Sequence, residues 1–124
     1  MATHPTAIRN AFVDFVLNQV DAGSTNSRPR AIFRTAGSAE VGTLDMAADA
    51  FGASAAGIAT AGTIEDGTGS TGGTTTLCTI EDRDNTVIFT ATVGISGAEI
   101  NLTTNVIPPG ATMRLTALTY QGPA

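Results

Sequence analysis

Apolar residues recur at three- and four-residue steps near the start of the chain and at two-residue steps over most of the rest. Ile8, Phe12, Phe15, Val16 and Val20 follow the helical period, and Val13 and Leu17 widen the stripe, so residues 6–22 are predicted as an α-helix. Thr6 offers an N-cap hydroxyl and Gly23 a C-terminal stop. Asp14, Asn18 and Asp21 mark the expected solvent side. So broad an apolar face on so short a helix predicts burial on more than one side, across a sheet or between subunits.

A polar linker over residues 23–30 separates this helix from a region of period two. Ala31–Thr35 and Val41–Met46 read as strands, Ala47–Ala56 has Phe51 as its one anchor, and Gly57–Ile64 alternates. The strongest pair is Thr74–Glu81 and Thr86–Val93, joined by the turn formers Asp82-Arg83-Asp84-Asn85 as an antiparallel hairpin. Thr76, Cys78 and Ile80 share one face of the first strand. Val87, Phe89, Ala91 and Val93 share one face of the second. Glu99–Thr103 adds a short strand, Pro108-Pro109-Gly110 a hard turn, and Ala111–Tyr120 a closing strand. About seven short strands at regular spacing predict a mainly β fold. We expect an antiparallel β-sandwich with the N-terminal helix at one end or edge, as a single domain over 1–124.

Composition narrows the function. The chain has 124 residues, enough to bury roughly two-thirds of its unfolded surface. Only 5% are aromatic and much of the apolar content is alanine, which predicts a thin core that gains from association. The net charge of -5 argues against a nucleic-acid partner. All six basic residues are arginines, and Arg28, Arg30 and Arg34 cluster, either as a contact for an anion or carboxylate or as a solvated loop beside a strand. One cysteine excludes an internal disulfide, and no apolar run approaches the ~20 residues that span a bilayer, so no membrane partner is expected. With no signal-peptide pattern at the start, a reducing, soluble setting is expected.

Candidate chemistry is scarce. Gly67-Thr68-Gly69-Ser70-Thr71-Gly72 spells G-x-G-x-x-G, but a strand-forming threonine run follows where a dinucleotide site needs a helix. Without lysine there is no Walker loop. His4 lacks a metal or triad partner, and Cys78 falls on an inward strand face, where it acts as a small hydrophobe. Glu65-Asp66 and Glu81-Asp82-Arg83-Asp84 lack the spacing of a known calcium loop and read as solvated turns. Asn101-Leu102-Thr103 fits a glycosylation acceptor that nothing else supports. No catalytic, cofactor-binding or metal residues are assigned, and the chain is expected to be no enzyme.

The order of these motifs carries a resemblance. Ala7-Ile8-Arg9-Asn10-Ala11-Phe12 leads to Asp21-Ala22-Gly23, Phe51-Gly52-Ala53-Ser54 precedes Gly57–Thr60, and Ile80 to Val87 is followed by Gly94, by Gly97-Ala98-Glu99-Ile100-Asn101-Leu102 and by the Gly110 turn. This order is similar to that of a small virion protein widespread in tailed bacteriophages and prophages, over nearly the whole chain. Ser24–Thr35, where the arginines cluster, departs from it. The resemblance implies a structural protein made in the bacterial host cytoplasm and carried on the virion. The leading role is capsid decoration (a cement protein), bound as a homotrimer to the major capsid protein on the outside of the head. Tail or fibre-base proteins, and a carbohydrate-binding β module displayed on the particle, are the alternatives. A sugar binder usually offers aromatics, and here Tyr120 is the only tyrosine and tryptophan is absent. The candidate oligomer or capsid contacts are Phe12, Phe15, Val16 and Val20 of the helix, with Arg28, Arg30 and Arg34. The helix stripe either packs against a neighbour or closes its own subunit's core.

Overall fold

The computed structural model of the chain describes residues 4–47, 50–67, 70–102, 104–115 and 118–121. It is mainly β with one N-terminal helix, as the periodicity predicts. Helix α1 spans Thr6–Val20, two residues shorter at its end than expected, with Asp21 as C-cap. Pro5, not Thr6, is the N-cap: its carbonyl accepts from the N–H groups of Ile8 and Arg9, both at 3.0 Å, and no side chain caps the start. Proline's fixed φ and extended ψ (here -58° and 154°) bring the chain into the helix one residue earlier than the hydroxyl signal suggests. Gly23 follows the C-cap with φ +108°, a conformation that side chains strain to reach.

Nine short strands, rather than about seven, follow among the described residues: β1 (Arg30–Arg34), β2 (Glu40–Asp45), β3 (Ile58–Thr60), β4 (Gly73–Thr74), β5 (Leu77–Glu81), β6 (Val87–Gly94), β7 (Ile100–Asn101), β8 (Val106–Ile107) and β9 (Thr119–Gln121). Five make one sheet in the order β2-β1-β5-β6-β7; β3 pairs with β9, and β4 with β8. Every pairing is antiparallel except β6 with β7. The predicted strand Thr74–Glu81 divides because the chain changes partner within it. The N–H of Thr75 goes to Asn105 beside β8, whereas that of Thr76 goes to Arg34 at the end of β1. The predicted strand Ala111–Tyr120 keeps only an isolated bridge at Met113 and β9 at its far end, and residues 116–117 lie outside the described residues.

Register explains the core. Across the large sheet Leu44, Ala31, Ile80 and Phe89 stand opposite one another, as do Gly42, Phe33, Cys78 and Ala91 in the next such row. These rows make the inner face, and Phe33, Leu44 and Ile80 are among its largest fully buried side chains. Helix α1 adds Val13, Leu17 and Val20 to the same cluster. It packs against β3 and β6, strands of two different sheets, and so joins them. A bulge between Ile80 and Glu81 puts Val87 opposite Glu81, so Val87 leaves the predicted inward set and is exposed.

Gly67 fits because it has no side chain. It exchanges two backbone hydrogen bonds with Met113, at 2.8 and 2.7 Å, and a Cβ placed on it would lie 2.5 Å from the Thr43 carbonyl oxygen. Backbone cannot swing aside as a side chain can. Gly67→Ala is therefore expected to destabilise the chain by about 1–3 kcal/mol in urea unfolding. Gly37→Ala, where the nearest atom is 3.9 Å away, should stay within about 0.5 kcal/mol.

Candidate functional site

Helix α1 presents two apolar sides. Val13 and Val20 are fully buried and Leu17 nearly so, and these three close the chain's own core. Away from them stand Ile8 (45% exposed), Phe12 (42%) and Phe15 (67%), spaced by four and three residues so that they line up along the surface. The His4 ring meets Phe12 edge-on at 5.2 Å and extends this strip toward the start of the helix. Of the expected contact residues, Phe12 and Phe15 are thus presented outward and Val16 is half-buried. Val20 belongs to the core instead, because the helix turns that edge of the stripe onto β3 and β6.

Polar groups on the helix hold it in this orientation. The Asn10 side-chain oxygen accepts from the Gly57 N–H at 2.8 Å, Asp14 accepts from the Ser54 hydroxyl at 2.7 Å, and Asp21 accepts from the Ala50 N–H at 2.9 Å. Asp14, exposed as expected, and Asp21, half-buried, also fasten residues 50–57 along the helix. The exposed strip itself carries no charged residue.

The arginine cluster is occupied within the chain. Arg28 donates from Nε to the Met46 carbonyl at 2.6 Å and pairs with Glu65 at 2.9 Å. Arg30 donates to the side-chain oxygen of Asn85 in the hairpin turn. Arg34 lies across the outer face of the large sheet, donating to the Thr79 hydroxyl and to Glu81, each at 3.1 Å. Glu81 is 5% exposed, so this pair is largely withdrawn from water. Arg28, Arg30 and Arg34 thus each have partners within the chain, which β2, β5, the hairpin turn and Glu65 bring beside residues 28–34.

The acidic loops are likewise engaged. Asp66 accepts a forked contact from Arg114 at 2.9–3.2 Å, and that guanidinium holds its carboxyl below the ordinary value of 3.8. Asp82 accepts the N–H groups of Asp84 and Thr86, both at 2.9 Å, and so closes its own turn. Asp84 accepts the N–H groups of Ser24 and Thr25 at 3.0 Å, tying the hairpin to the linker, and its carboxyl is also held below 3.8 by those donors, Ser24 first. Among the described residues no three His, Cys, Asp or Glu side chains converge as a metal site. Burial pushes the Cys78 thiol up to about 12, so it is protonated at neutral pH. In the glycine-rich loop the Ser70 hydroxyl donates to the Pro108 carbonyl and strand β4 follows; Thr68 and Gly69 lie outside the described residues. Thr103 of the glycosylation pattern does as well. Among the described residues no helix is long and apolar enough to cross a membrane.

One feature escaped the sequence reading. A groove of about 440 Å³ opens between β6 and β9, which are 25 residues apart or more and share no motif. Its only sequence trace is the length of β6, eight residues, against two in its neighbour β7. Neither a family model, nor a curated protein, nor a solved structure matches this chain.

Two measurements check these electrostatics. Arg34→Met leaves Glu81 buried without its cation and is expected to cost about 3 kcal/mol in urea unfolding, while adding Glu81→Met restores most of it. For Asp84, a folded value below the unfolded one stabilises the chain above pH 3.8, and that contribution is lost as pH falls through the folded value. Unfolding free energies from neutral pH to about pH 2 should fall more shallowly in Asp84→Ala than in the wild type, and more shallowly again when Asp66→Ala is added.

Proposed function

We propose that this chain is a non-enzymatic structural protein of a phage particle, a capsid decoration protein that binds the outer surface of the head. The observation that carries the reading is the second apolar side of α1. Ile8, Phe12 and Phe15 form an uncharged strip on a helix whose opposite side already fills the core. Covering a phenylalanine removes roughly 1.5–3 kcal/mol of exposed apolar cost, so such a strip favours a neighbour. The resemblance of the motif order to that of small virion proteins supports a neighbour in a shell. A shell repeats its binding surface, so modest contacts gain from being made together. The partners are further copies of this chain, as a trimer, and the major capsid protein. The thin core also suits a protein whose folded form is stabilised by what it binds.

Phe15→Asp tests this reading. Phe15 is 67% exposed, so at concentrations where the chain is monomeric the change should leave unfolding free energy within about 0.5 kcal/mol. Co-sedimentation with heads lacking this chain should weaken about tenfold or more, and light scattering should show a smaller assembly. Phe12→Asp should act in the same direction. Unchanged mass and unchanged head binding in both variants would remove the helix face from the interface.

A further inference from the structure

We infer that the groove between β6 and β9 accepts an extended, basic peptide segment of another protein, which adds as a strand between them. Both walls are strand edges with outward-turned backbone groups. On β6, Val93 donates to Thr76, so the alternating positions Val93, Ala91 and Phe89 bond toward β5 while Thr92 and Thr90 turn their N–H groups away. The Thr92 N–H confirms the alternation: it donates to the Glu99 carboxylate at 3.1 Å, which takes the place of a strand carbonyl. Among the described residues β7 pairs only with Val93 and Gly94, and no strand pairs with Thr90 on this side. On β9, the Leu118 carbonyl accepts from Ala61 and Tyr120 stands opposite Ala59. Thr119 and Gln121 therefore turn their backbone groups away from β3. Residues from both edges line the groove, and where they meet, the rings of Phe89 and Tyr120 touch at 4.8 Å. Main-chain donors and acceptors at two-residue intervals over an aromatic floor recognise an extended backbone.

Charge selects the occupant. Among the described residues Glu99 is the only charged one lining the groove, so an incoming strand with lysine or arginine is favoured. A second copy of this chain fits poorly. It carries -5, and Arg28, Arg34 and Arg114 are already in ion pairs, with Arg30 on Asn85. The groove is separate from the α1 strip, so its test and that of the proposed function fail independently.

The test is selection from a displayed library of random linear peptides on the immobilised full chain. The expected winners alternate β-branched residues, carry lysine or arginine and lack internal proline. A synthetic winner should shift the amide resonances of Thr90, Thr119 and Gln121. Thr90→Pro removes an outward N–H without touching the bonds to β5, and should weaken that peptide about tenfold. Glu99→Lys should turn the selection toward aspartate and glutamate, and serves alone if Thr90→Pro fails to fold. The inference is overturned if no peptide is enriched, if winners bind Thr90→Pro as tightly as wild type, or if Glu99→Lys selects the same sequences. A dimer that Thr90→Pro abolishes would also overturn it, by making a second copy the occupant.

Discussion

Helix α1 carries apolar side chains on two opposite sides, and one chain can cover only one of them. The sheet takes Val13, Leu17 and Val20. Asn10, Asp14 and Asp21 then fix the rotation about the helix axis through bonds to Gly57, Ser54 and Ala50. Once that rotation is set, Phe12 and Phe15 have nowhere to go but outward. The arrangement of residues 50–57, the joining of β3 to the large sheet and the character of the exposed surface all follow from this one packing choice.

The large sheet solves a different problem, that of holding register with few aromatics. Its inner face is a set of apolar rows. Its outer face is locked by side chains that reach across strands, above all Arg34 over Thr79 to Glu81. A buried ion pair contributes little net stability compared with apolar packing, but a slipped strand would leave Glu81 buried without a partner, which is costly. The same economy runs through the loops. Arg28, Arg114, Asp66, Asp82 and Asp84 each tie one segment to another or close a turn. A chain poor in ionisable groups spends these on its own architecture.

Much of this was legible in the sequence where one period ruled. The β5–β6 hairpin shows it best: Cys78, Ile80, Ala91 and Val93 are buried as their alternation predicts, with Phe89 half-buried against the same core. Periodicity could not see the bulge that turns Val87 outward, because an inserted residue is a matter of pairing, not of composition. Nor could it see the chain changing sheets at Thr75 and Thr76, since threonine suits either side of such a switch. On the helix, seven apolar residues predicted burial on more than one side, yet only tertiary contacts decide which side is internal. The arginine cluster was visible, but apart from the Ser38 carbonyl its acceptors lie 17 to 55 positions away and carry no mark of the pairing.

The proposed role therefore depends on whether something covers the outer strip of α1. Hydroxyl-radical footprinting of the isolated chain and of the chain bound to phage heads addresses this directly, with the buried Phe33 as internal control. The account predicts that Phe12 and Phe15 oxidise readily in the isolated chain diluted to the monomer and become protected on the head, while Phe33 stays protected in both. Equal oxidation of Phe12 and Phe15 in the two states would contradict it.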